Sequence, residues 1–327
     1  MITRRHFLYT CAGVPAILPT IGFAQTTPMH RVAVLFGGPR EGNEVFFDAF
    51  REQLAMLGYV EGRNLIVDAR FGSRPEERAK QLADELFALH PNVFVALQGL
   101  ALVAASRLPV TLPVVGIYSG NPVDAGYAAS FARPGRNMTG ISLMALELVG
   151  KRIELLKEML PRLKTVAIIA DPQHPGEHRE RAASEAAAKV LGVRVLYYPV
   201  RNDTELNAAL GAAKLAGAEG IVAFPDGVTN SNRRAIADFS LHNRIPVAAG
   251  WPSFVEAGCL LSYGPNLRTA YGRAAYFVDR IIKGAKPAEL PIEFPTIVEL
   301  AVNQKTAKAL GIKIPNTILV RTDRMIE

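Results

Sequence analysis

His174 and His178 stand four positions apart with Glu177 between them. On a helix that spacing puts two imidazoles on one face beside a carboxylate. Such a pair begins a metal centre, but a metal needs a third and a fourth ligand and a supporting shell, and the sequence supplies no obvious partner. Pro175 inside the pair also suits a helix start. Together with Asp171 the histidines would form the polar centre of an α/β enzyme, which stays open as an alternative. Other chemistry finds little footing. Gly37-Gly38-Pro39-Arg40-Glu41-Gly42 departs from G-x-G-x-x-G, and there is no Walker A sequence, no G-x-S-x-G elbow and no Cys/His cluster. Neither a metal nor a cofactor is expected.

The lone tryptophan of the chain, Trp251, lies in the punctuated stretch Pro246 to Asn266. A short apolar strand, Pro246 to Ala249, ends there in Gly250-Trp251. Pro252 can sit in the first turn of a short helix, where its missing N–H costs nothing. Gly258 stops that helix, Cys259 to Tyr263 reads as a strand, and Gly264-Pro265-Asn266 is expected to break it. Ligands of open α/β sheets bind outside the carboxyl ends of strands. The stretch is therefore expected to form one wall and one hinge of a ligand cleft.

The elements that would position these residues alternate regularly. Apolar runs at 32–36, 65–71, 93–97 and 113–117 read as buried parallel strands. Helices are expected at 43–57 with Gly58 after it, at 75–89 with Pro75 near its start, and at 99–108. Pro, Gly and Asn break the pattern over Arg133 to Gly140. A strong amphipathic helix then covers 147–160, and strands follow at 165–170, 193–198, 220–224 and 246–248. One more helix, 268–283, precedes a proline-rich link and a last strand and helix at 297–302 and 303–310. Two βα series imply doubly wound sheets in two similar lobes.

Strand ends then nominate the binding residues. The first series offers Phe36 and Gly37, Gln98 and Gly99, and the turn from Tyr118 through Ser119 to Asp124. The second offers Asp171, Asp226 and the Gly250-Trp251 turn. Helix N-termini at Gln98-Gly99 and Tyr118-Ser119-Gly120 suit a carboxylate. Asp171 or Asp226 would pair with an ammonium group, or simply cap a helix. Trp251, Phe36, Tyr118 and Tyr263 would enclose an apolar or aromatic side chain, although Phe36 reads equally as core and Tyr263 as hinge packing.

Composition sets the outer bounds. A chain of 327 residues, 49% hydrophobic and 20% charged, suits two globular domains. Basic residues are scattered among acidic ones, without the stripe a nucleic-acid partner requires. Thr3-Arg4-Arg5-His6-Phe7-Leu8 resembles a twin-arginine export signal, and the broken apolar run to Phe23 precedes Gly22-Phe23-Ala24, so cleavage is expected near Ala24. Sec export of the same leader leads to the same side of the membrane. Without the leader the charge of +7 falls by two, and Cys259 is the only thiol left, expected to be buried and inert.

Many segments in one order carry a resemblance. They include Gly58-Tyr59-Val60-Glu61-Gly62-Arg63-Asn64, Asn121-Pro122-Val123-Asp124 with Ala132 to Gly140, Gly150-Lys151-Arg152-Ile153-Glu154-Leu155-Leu156-Lys157, Ser262-Tyr263-Gly264-Pro265-Asn266, Val278 to Pro287, and Lys305 to Gly311. Over nearly the whole mature length the chain resembles the substrate-binding proteins of ABC transporters, in the family with tryptophan- and tyrosine-type binding proteins. The resemblance implies a type I periplasmic-binding fold, two Rossmann-like doubly wound lobes joined by three crossovers. It implies lobe 1 over 30–140 plus 264–294 and lobe 2 over 141–263 plus 295–327. Hinge residues would be Asn137, Thr139, Gly264, Pro265, Asn266, Pro295 and Thr296. The expected function is a monomeric periplasmic receptor that closes on a small polar ligand, such as an amino acid or related carboxylate, and delivers it to an inner-membrane permease. A ligand receptor for a membrane sensor kinase is the other alternative.

Overall fold

The computed structural model describes residues 28–72, 76–144 and 146–327. The expected leader and the placement of Pro75 lie outside the described residues. Two sheets organise the chain. The first is five-stranded, in the order β2-β1-β3-β4-β5, and wholly parallel. Its strands are β1 (His30–Phe36), β2 (Leu65–Phe71), β3 (Val93–Leu97), β4 (Val114–Tyr118) and β5 (Met138–Ser142). Helices α1 (Glu44–Met56), α2 (Glu76–Phe87) and α3 (Gly99–Ser106) connect them. The continuous apolar runs form strands because both faces are covered, and Val93–Leu97 and Val114–Tyr118 are buried throughout.

After β5 the chain crosses through Leu143 and Met144 into α4 (Leu146–Met159). A second series follows: β6 (Thr165–Ala170), α5 (Glu177–Val190), β7 (Arg194–Pro199), α6 (Asp203–Leu215), β8 (Gly220–Ala223), α7 (Gly227–Ser231), α8 (Arg233–Asn243), β9 (Val247–Ala249) and α9 (Pro252–Ala257). Strand β10 (Leu261–Pro265) leads back to the first sheet through α10 (Leu267–Ile282), and the chain returns through β11 (Val298–Asn303), α11 (Gln304–Leu310), α12 (Asn316–Leu319) and β12 (Arg324–Ile326). The second sheet has the order β12-β11-β10-β9-β8-β6-β7, with β10 and β11 antiparallel.

Helix α10 packs on the first sheet. Tyr271, Ala274, Phe277, Val278 and Ile281 recur at helical spacing and join the core made by β1, β3 and α1. Phe277 is 1% exposed, and burying one such ring contributes roughly 1.5–3 kcal/mol. Tyr59 donates its hydroxyl to Asp279 Oδ1 at 3.0 Å, closing the same contact with a polar clasp.

Two expectations about the crossovers need correction. Gly264 and Pro265 do not break the strand: they pair with Glu299 and Val298 inside the antiparallel ladder. Pro265 is tolerated because it is the last residue of β10. Asn137 and Thr139 are not at a crossover. They sit at the amino end of β5, where Asn137 Nδ2 donates to Leu112 O and Thr139 Oγ1 donates to Leu290 O. A Pro- and Gly-rich lead-in hid the strand.

Candidate functional site

The carboxyl ends of β1 and β3 stand side by side. Gly37 N donates to Leu97 O at 2.8 Å, and Gly37 lies so close to α3 that a Cβ there would be 3.1 Å from Ala101 N. Gln98 caps α3 with φ +78° and ψ 161°, a region that side-chain-bearing residues avoid and that costs on the order of 1–3 kcal/mol. Its Nε2 donates to Asn43 Oδ1 at 2.6 Å, and Asn43 Nδ2 donates to Pro39 O. The strained residue thus ties the turn after β1 to the turn after β3. Gly99 is exposed at the first position of α3 with nothing within 4 Å of an added Cβ. An anion can approach the free N–H groups there.

Aromatic rings lie behind this edge. Phe36 stacks on Phe71 at 4.7 Å, and Phe46 stacks on Tyr271 at 4.6 Å. Phe36 itself is fully buried, so it is core and not a ligand contact. Tyr118 also requires correction. Its side chain turns to the opposite face of the sheet, among Tyr127, Leu102 and Ala128, and its hydroxyl donates to Thr139 O at 3.0 Å. Gly116 makes room for that ring, which would lie 2.5 Å from a Cβ at that position.

The loop after β4 meets the loop after β6. Ser119 Oγ and His174 Nε2 are 3.2 Å apart, and Asn121 N donates to Pro175 O at 2.9 Å. Burial pushes the His174 imidazole down to about 4, against a smaller opposing pull from Asp171. It is therefore neutral at neutral pH. Asp124 receives two hydrogen bonds from Arg179, at 2.8 and 3.0 Å, so its carboxylate is spent on a contact between lobes and not on a ligand. His174 precedes α5 and His178 lies in it. The two rings face different partners, Ser119 and Asp124. Among the described residues no group of three or more His, Cys, Asp or Glu could hold a metal.

The two acids expected to meet an ammonium group act as turn formers. Asp226 caps α7: Oδ1 accepts from Thr229 N and Oδ2 accepts from Asp171 N, both at 2.8 Å. Burial raises its carboxyl to about 6, opposed by those hydrogen bonds. Asp171 Oδ1 accepts from Gln173 N. Trp251 lies at the carboxyl end of β9. It caps α9 and is half-buried against the cores of both lobes. Tyr263 packs its ring on the lobe 2 core.

Sequence reasoning missed the floor beneath Trp251. Arg152 on α4 is 3% exposed and Glu180 on α5 is 2% exposed. Arg152 Nε donates to Tyr263 O at 3.0 Å, and its Nη1 lies 3.9 Å from Glu180 Oε1. The spacing Val149, Arg152, Leu156 puts the arginine on the apolar stripe of α4, a signal that was available. Two pockets lie elsewhere. One of about 500 Å³ is at the opposite end of β4 and β5, lined by residues such as Pro113, Arg136 and Lys286. The other, of about 320 Å³, is lined by Asn266, Arg273, Glu293, Pro295 and Thr296 beside the crossovers.

Two largely parallel sheets joined by three crossovers are the architecture of the type I periplasmic-binding fold. The chain belongs to the ABC transporter substrate binding protein family, whose sequence profile matches residues 32–326. It is 22% identical over 265 residues to the tyrosine-binding protein of Clostridioides difficile (strain R20291), covering 81% of this chain and 76% of that one. It is similar in structure to an ABC domain in complex with L-Trp from Streptococcus pneumonia, with TM-score 0.83, 20% identity and coverage of 91% of this chain and 100% of that one. A conserved domain protein from Vibrio cholerae gives TM-score 0.82 at 24% identity, covering 91% and 99%. The matching family is one of substrate-binding proteins and not of enzymes, so the enzyme alternative built on Asp171, His174 and His178 is set aside. Family membership makes the chain the small-molecule-binding component of an ABC transporter on the outer side of the membrane. No helix among the described residues is long and apolar enough to cross a membrane.

Proposed function

We propose that the chain is a periplasmic receptor, exported by its twin-arginine-like leader and cleaved near Ala24. It works as a monomer, closes on an amino acid or related carboxylate, and hands it to an inner-membrane permease. The observation that carries this reading is Trp251, half-buried and packed against the cores of both lobes at the carboxyl end of β9. A ring in that position senses closure and can stack on a flat side chain. At the carboxyl end of β3, Gln98 and Gly99 offer the α3 N-terminus to a carboxylate, with Gly37 beside them. Two similar proteins, a tyrosine-binding protein and a domain in complex with L-Trp, support an aromatic amino acid.

Closure would turn on Leu143–Met144, Pro265–Asn266 and Pro295–Thr296. Glu293 N donates to Gly140 O while Asn266 N donates to Ile297 O, so a backbone hydrogen bond flanks the last crossover on each side. Lobe 1 would then cover 30–140 plus 264–294, and lobe 2 the remainder. A ligand favours the closed state by touching both lobes.

Thermal-shift titration of the mature protein with amino acids and small carboxylates tests the reading. A ligand at a hundred times its Kd adds about 2.7 kcal/mol of apparent stability. L-tyrosine or L-tryptophan is expected to raise the melting temperature, and Trp251→Ala is expected to remove most of that rise. If no amino acid or carboxylate moves the midpoint, the ligand class is wrong.

A further inference from the structure

The interior of lobe 2 holds charges that neither cap a helix nor face solvent. Arg152 Nη1, Glu180 Oε2 and Glu177 Oε1 are buried without a hydrogen-bond partner among the described residues. Buried ionic groups left incompletely paired are costly, so their position calls for a reason.

Three segments of lobe 2 touch lobe 1, and each hangs on this pair. The Gly250-Trp251 turn lies on the guanidinium: a Cβ on Gly250 would be 2.8 Å from Arg152 Nη2. The Tyr263 carbonyl, two residues before the end of β10, accepts from Arg152 Nε. Helix α5, whose preceding loop meets Ser119 and Asn121, presents Glu180 to Arg152 Nη1. Gly264 and Gly250 also approach so closely that a Cβ on Gly264 would be 1.9 Å from Gly250 O. The turn and the hinge strand therefore move together.

We infer that Arg152 and Glu180 are a positioning pair that sets where the Trp251 turn, the hinge strand and the α5 loop stand relative to lobe 1. The inference deepens the proposed function, since it concerns the same closure. The pair touches no ligand and acts through Gly250, Tyr263 and the α5 loop. The groups facing Glu180 are Arg152 from α4, Glu177 from its own helix and Asp226 from the turn after β8. Asp171 lies behind Asp226, and Arg181 and Glu177 face Tyr197 from β7. Burial, more than the opposing pull of Arg152, raises the Glu180 carboxyl to about 7. Its charge, and with it the hold on Arg152, changes near neutral pH.

The test uses the mature chain and its single tryptophan, so that emission reports on residue 251 alone. Replacing both charges in R152M/E180Q removes the pair together, so neither partner is left uncompensated by the loss of the other, and such replacements are often neutral for stability. The double variant is expected to keep its melting temperature while its emission moves to the red and acrylamide quenching rises. Its affinity for L-tyrosine is expected to fall about tenfold. Wild-type emission is expected to change with pH through about 7, and E180Q to abolish that change. The single isosteric variant keeps the test open if the double variant does not fold. Wild-type-like emission and quenching in R152M/E180Q overturn the inference, as does a pH response that is absent in the wild type or intact in E180Q. The optical measurements need no ligand, so they stand apart from the failure of the ligand class.

Discussion

Arg179 donates from Nε and Nη2 to the two oxygens of Asp124, at 2.8 and 3.0 Å. The carboxylate comes from the loop after β4 and the guanidinium from α5, so the pair crosses from one lobe to the other. Arg179 holds the Asp124 carboxyl below the usual range, chiefly by hydrogen bonding. The arginine is solvent-exposed, and exposed pairs are weak and screened by salt. Asp124→Asn is therefore expected to lower ligand affinity slightly, with a larger effect at low ionic strength. Calorimetric titration at two salt concentrations measures this, and a salt-independent loss would contradict it.

Glu180 gives the protein an unusual pH profile. Its carboxyl is raised from 4.5 in the unfolded chain to about 7 in the fold, so the unfolded state releases the proton first. The stability it contributes is present below about pH 4.5 and is lost as pH rises through about 7. Asp226, raised from 3.8 to about 6, acts in the same direction over a lower window. Melting temperature followed across this range should fall for the wild type and stay flatter for Glu180→Gln.

Gln98 gives a test in which stability and binding separate. Glycine adopts φ +78° without strain, so Gln98→Gly is expected to leave stability unchanged or raise it by about 1 kcal/mol. The lost link to Asn43 is expected to weaken ligand binding at the same time. Denaturant unfolding and calorimetry on one preparation measure both.

Two glycines should answer alanine oppositely. Gly99 has open space around it, so Gly99→Ala is expected to fold normally and bind ligand less well. At Gly264 the new methyl would meet the Gly250 carbonyl at 1.9 Å. Backbone cannot yield there cheaply, and a cost on the order of 3 kcal/mol is expected from overpacking. Urea denaturation curves of the two variants distinguish these outcomes.

Much of the scaffold was legible because local pattern and tertiary burial agree. Leu65–Phe71, Val93–Leu97 and Thr165–Ala170 are strands with the expected bounds. Helix α10 packs into the core made by β1, β3 and α1. Gly264-Pro265 misled because an antiparallel partner more than thirty residues away, Val298–Asn303, overrides the local turn signal. The short elements Asn316–Leu319 and Arg324–Ile326 lack enough residues to show a period.

The site was less legible, because strand ends identify turns and not side-chain directions. Gln98, Gly99 and Trp251 occupy the strand-end turns expected of them, with Gly99 exposed and Trp251 half-buried. Tyr118, Asp124 and Asp226 occupy the right turns, but their polar atoms are taken by Thr139, Arg179 and Thr229. Arg152 was passed over because an arginine on an amphipathic helix reads as surface.

The clasp between Tyr59 and Asp279 joins residues 220 positions apart. A ribosome adding about 5–20 residues per second therefore finishes the whole β6–β10 series before α10 exists to complete the first core. The core that begins first waits for a helix made after five of the seven strands of the second sheet. Until then the apolar face that α10 covers lacks its partner.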